Sequence, residues 1–157
     1  METGGSVVPP SDPPSDQINA ELELVKTHME FLGYRTRWSD GNALLHAEVT
    51  ADGPVDFTDW MFHADGSGIT AFFGIRLDAD SPLLDQLLLS NAINMLARTI
   101  STSVCTLDSG PCLMAEAFLR GTYSRNTFCF FIHDINKEAL QINTCHELDP
   151  IFARVGL

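Results

Sequence analysis

Between Ser81 and Leu119 the apolar residues change period once, from the three-and-four spacing of a helix to the alternation of strands, and that change orders everything around it. Leu84, Leu87, Leu88, Asn91, Met95 and Leu96 stack on one helical face. Ser81 is placed to cap the first turn, and Pro82 at the first helical position loses no needed hydrogen bond. Asp85 and Arg98 sit at the ends that the helix dipole favours for their charges. From Ile100 to Leu107 the chain is β-branched and short-polar, Asp108 to Pro111 reads as a turn, and Cys112 to Leu119 returns as a strand. A helix feeding a hairpin that must be covered implies helices packed on an antiparallel sheet.

Before this stretch, residues 1–14 are Gly, Pro and Ser with little apolar mass, and are expected to be a disordered leader. A first helix is expected from Ser15 or Asp16, with Ile18, Leu22, Val25, Met29 and Leu32 as its stripe and Gly33 as its left-handed stop. Tyr34 to Trp38, Ala43 to Thr50, Val55 to Ala64 and Ile69 to Leu77 read as strands separated by turns at 39–42, 51–54 and 65–68. After the hairpin a third helix is expected from Ser124, with Phe128, Phe131, Ile132, Ile135, Ala139 and Ile142 on one face, and a further helical turn after Pro150. The expected fold is α+β and two-layered: a twisted antiparallel sheet with helices mainly on one face, ordered α-β(3–4)-α-β(2)-α, in a single domain over residues 15–157.

The 157 residues allow one substantial core, and 45% apolar content fits a globular domain. No apolar run reaches the ~18 residues of a membrane span, and no basic-then-apolar leader marks secretion. A cytoplasmic location with no membrane contact is therefore expected. A net charge of −12 argues against nucleic acid as a partner, because gripping phosphates needs clustered Lys and Arg.

Chemistry-bearing residues are sparse in pattern. His28, His46, His63, His133 and His146 form no metal-binding spacing, although His46 and His63 fall on neighbouring strands and could meet in a small-molecule or metal site. Cys145 and His146 are sequence neighbours and point in different directions on a helix. Asp56 and Asp59 fall on opposite strand faces. Cys105 and Cys112 read as reduced core thiols, since a turn at 108–111 sets Leu107 opposite Cys112 and Cys105 opposite Met114. Asn91 and Asn94 form an odd pair on the central helix; a buried Asn must be hydrogen-bonded, which suits a role in helix-to-sheet register or a dimer seam.

The element order, the Asn91-Ala-Ile-Asn94 helix and its passage into the hairpin Val104-Cys-Thr-Leu-Asp-Ser-Gly-Pro-Cys-Leu-Met-Ala resemble the YbjN-like family, as do Leu32-Gly33-Tyr34 and the acidic charge balance. That family is related in fold to the class I type III secretion chaperones. The resemblance spans roughly Asp16 to Ile142 and implies helices on one side of a twisted sheet, dimerisation, and client or regulatory partners bound on apolar surface. It brings no catalytic residues and no cofactor. The expectation is a non-enzymatic, homodimeric protein-binding module, chaperone-like or regulatory, whose interface is Leu88, Asn91, Met95, Phe128 and Phe131. The rival is an enzyme or ligand-sensing domain using His46 and His63.

Overall fold

The computed structural model describes residues 15–39, 44–48, 55 and 59–157, with side chains from Ala20 onward. In chain order come α1 (Ser15–Phe31), β1 (Arg35–Ser39), β2 (Leu44–Glu48), β3 (Asp59–Asp65), β4 (Gly68–Arg76), α2 (Leu83–Leu96), β5 (Ile100–Leu107), β6 (Gly110–Arg120), α3 (Arg125–Asn143) and α4 (Asp149–Val155). The strands form one antiparallel sheet in the order β1-β2-β3-β4-β6-β5, so β1 and β5 are its edges. This is the two-layer α+β architecture expected. The leader at 1–14, the turns at 39–42 and 51–54, Asp56 and Ile18's side chain lie wholly or largely outside the described residues.

Alternation along the strands decides which sheet face is covered. Trp60 and Phe62 on β3, Ile69, Ala71, Phe73 and Ile75 on β4, and Leu113, Ala115 and Ala117 on β6 are all buried on one face. The helices lie against that face. From α1 come Leu22, Val25 and Met29, and from α4 Phe152 and Val155. The stripe of α3 turns inward as a whole: Phe128, Phe131, Ile132, Ile135, Ala139 and Ile142 are all buried. Ser124 caps that helix by accepting from the Thr127 amide at 3.3 Å. Phe128, fully buried, meets the rings of His28, Tyr123, Phe62 and Phe131 at centroid distances of 5.3, 5.6, 6.0 and 6.1 Å. Burial beside Arg125's positive charge holds the His28 imidazole below its usual range.

Two local expectations are corrected. Ser81 does not cap α2; its hydroxyl donates to the Asp78 carbonyl at 2.7 Å and the helix begins at Leu83 after Pro82. The β5–β6 hairpin turns through Asp108 and Ser109 alone, with Gly110 at φ 118° pairing Leu107. Pro111 thus enters β6 opposite Thr106, and Cys105 faces Cys112 rather than Met114. Proline is tolerated there because it stands at the start of a strand, with its carbonyl accepting from Leu77 N at 3.1 Å.

Candidate functional site

The central helix α2 is amphipathic in the sense opposite to α3. Its inner face is Gln86, Leu89, Ser90 and Ile93, of which half are polar. Its outer face carries Leu83, Leu84, Leu87, Leu88 and Met95, exposed by 61, 68, 44, 42 and 89%. Asn91 is exposed within that stripe. Single exposed leucines are ordinary; five large apolar side chains on one helical face are not.

Small polar residues on the inner side explain why the helix turns this way. Thr102 on the edge strand β5 would present an unpaired amide and carbonyl beyond the last strand. The Asn94 side chain takes the part of a missing strand. Its Oδ1 accepts from Thr102 N at 2.6 Å and its Nδ2 donates to Thr102 O at 2.9 Å. The Ser90 hydroxyl adds a donation to the same carbonyl at 3.0 Å, and Thr102 Oγ1 donates back to Ser90 O at 3.1 Å. Gln86, Ser90 and Asn94 recur every four residues, a polar stripe legible in the sequence. Turning Ser90 and Asn94 toward β5 satisfies the edge and leaves Leu83, Leu84, Leu87 and Leu88 outside, while Gln86 donates to the Ser81 carbonyl at 2.9 Å. Asn94, not Asn91, therefore sets helix-to-sheet register.

Glu138 on α3 secures the other end of this connection. Its carboxylate accepts from the amides of Arg98, Thr99 and Ile100 at 2.9–3.0 Å, pinning the turn from α2 into β5. Burial alone would raise its pKa, but the hydrogen bonds from the Ile100, Arg98 and Thr99 amides, with the Thr99 side-chain contact, outweigh burial and lower it. A cleft of about 590 Å³ opens beside it, lined by Leu96, Arg98, Asp134, Lys137 and Gln141 among others. Neither His46 nor His63 lines it.

The expected interface residues divide. Leu88, Asn91 and Met95 share the outward face of α2. Phe128 and Phe131 are 0 and 6% exposed in the core and offer no surface, because the inward face of α3 fills the layer between helix and sheet. The exposed phenyl ring on that helix is Phe130, at 70%.

His46 lies on the sheet face away from the helices. Its Nε2 meets Ser39 Oγ at 2.8 Å and its Nδ1 meets Asp59 Oδ1 at 3.2 Å, while Arg37 pairs with the same carboxylate at 3.1 Å. This is the connectivity of a Ser-His-Asp relay. Asp59 is 48% exposed and shared with a guanidinium, unlike the buried carboxylate that orients a catalytic imidazole. His63 is on the same face, in register with Thr70. Among the described residues, no three His, Cys, Asp or Glu side chains gather as a metal site, and no helix is long and apolar enough to cross a membrane.

No family model matches the chain, and neither does any curated protein. Among solved structures it is similar to YbjN from E. coli, described as a candidate transcription regulator, with a TM-score of 0.64 at 18% identity over 82% of this chain and 91% of that one. The likeness is one of fold: this chain has a YbjN-like architecture, helices laid on one face of a single twisted sheet.

Proposed function

We propose that this chain is a non-enzymatic, regulatory protein-binding module of the cytoplasm that pairs with a second copy of itself through the outward face of α2. The observation carrying this is the exposure of Leu83, Leu84, Leu87, Leu88 and Met95 on one helix. A self-complementary partner fits the electrostatics. Two chains of charge −12 repel, yet Asp85 is the one charged residue in α2, and it is tied to Arg154 at 3.2 Å. The helix face is thus a neutral window in an acidic molecule. In a two-fold arrangement Asn91, inside the stripe, meets its own copy, and a carboxamide both donates and accepts. Each covered side chain contributes ~1.5–3 kcal/mol, against an association cost of ~4–15 kcal/mol. These side chains are 42–89% exposed, and those of two copies together reach the range of that cost.

The fold-level likeness to a protein described as a candidate transcription regulator supports a regulatory role. The negative charge favours regulation through proteins over direct contact with phosphates. A secretion-chaperone role would put an extended client segment on the same face, with no cofactor. Light scattering on the purified chain tests the reading: a particle of twice the 17.3 kDa chain mass is expected, and a particle of chain mass across the concentration range overturns self-association.

A second reading, hydrolysis, rests on the Ser39–His46–Asp59 chain alone. It requires a fluorophosphonate adduct on Ser39 that His46→Ala abolishes; an unlabelled Ser39 removes it.

A further inference from the structure

The β5–β6 register places two thiols side by side. Cys105 on the edge strand β5 and Cys112 on β6 are direct cross-strand partners, and their Sγ atoms lie 2.8 Å apart. Both are free thiols. Directly opposed residues of an antiparallel pair have Cα atoms about 4.5–5.5 Å apart, within the span a disulfide bridges. Bond formation therefore needs only a small closure of two side chains on a fixed backbone. The two also differ in access: Cys112 is 4% exposed, whereas Cys105 is half-buried on the outermost strand.

We propose that Cys105 and Cys112 are a reversible oxidation site, closed to a disulfide by a small-molecule disulfide such as oxidised glutathione. The Cys105 thiolate attacks one sulfur of the oxidant, forming a mixed disulfide and releasing one small thiolate. The Cys112 thiolate then attacks Cys105 Sγ, expelling the second small thiolate. Two electrons pass from the protein sulfurs to the oxidant, and the two thiol protons leave with the pair of small thiols it becomes. The first step falls to Cys105 because it is the more accessible. Burial pushes the Cys112 thiol up to about 11, helped by its hydrogen bond to Cys105 and the charge there.

The remaining cysteines are internal controls: Cys129 is exposed on α3 and Cys145 half-buried after it. The test is incubation of the full chain with oxidised glutathione, alkylation, tryptic digestion and mass spectrometry. Cys105 and Cys112 fall in one tryptic peptide, residues 99–120. The expected result is that this peptide loses two hydrogens and takes no alkyl group, that reduction restores two alkylation sites, and that Cys105→Ser leaves no internal bond. If Cys129 takes up glutathione while residues 99–120 remain doubly alkylated, the proposal is overturned. A stable glutathione adduct on Cys105 that Cys112 never resolves overturns it equally.

Discussion

Helices α2 and α3 carry comparable apolar stripes and use them in opposite ways. On α3 the stripe from Phe128 to Ile142 is buried throughout. On α2 Leu83, Leu84, Leu87 and Leu88 face outward, and the inner face joins Leu89 and Ile93 to Gln86 and Ser90, with Asn94 bonded to the edge strand β5. The difference lies in what each helix covers. Beneath α3 lies the apolar centre of the sheet, where a polar side chain would lose water without compensation. Beneath α2 lies an edge strand whose free amide and carbonyl must be satisfied, and small polar side chains do that better than leucine. An apolar stripe states which residues share a face; the neighbouring element decides which face it seeks.

The comparison breaks first if α3 is not core. Phe128→Ala removes a fully buried ring and should destabilise by ~3–5 kcal/mol, whereas Phe130→Ala two positions on, at 70% exposure, should stay within ~0.5 kcal/mol of wild type in urea titrations. Equal costs would mean the helix is rotated. Asn94→Ala should cost less, ~1–3 kcal/mol, because it leaves the Thr102 amide without its acceptor while Ser90 still donates to the carbonyl. Hydrogen exchange at the Thr102 amide should quicken with it, and unchanged protection there would remove Asn94 from the edge.

The smallest expected effect concerns pH. Glu138 has a lowered pKa in the folded state, so its stabilisation is present above the ordinary carboxylate value of 4.5 and is lost as pH falls through the lowered one. Stability of the wild type should therefore fall more steeply in acid than that of Glu138→Gln, measured by urea midpoints from neutral pH down to the acid limb. Parallel curves would show that the carboxylate charge does not hold the turn.

The helices and sheet strands were legible because their periods are long and unbroken, and α3's buried face could be read residue by residue. The interface was legible only in part. Phe128 and Phe131 share the apolar character of Leu88 and Met95, and periodicity does not tell a core face from a docking face. The cysteine pair was missed by a two-residue difference in turn length, since Pro111 reads as a turn residue and in fact starts a strand. The Ser39–His46–Asp59 chain joins three strands, and spacing along one strand carries no trace of it.

The most direct measurement is the light-scattering mass of Leu88→Asp/Met95→Asp, with circular dichroism on the same sample. Both side chains are exposed on α2 in the isolated chain. The account predicts a fully folded protein of chain mass where the wild type has twice that mass. A folded variant that still pairs would contradict α2 as the docking face, and an unfolded one would contradict its outward orientation.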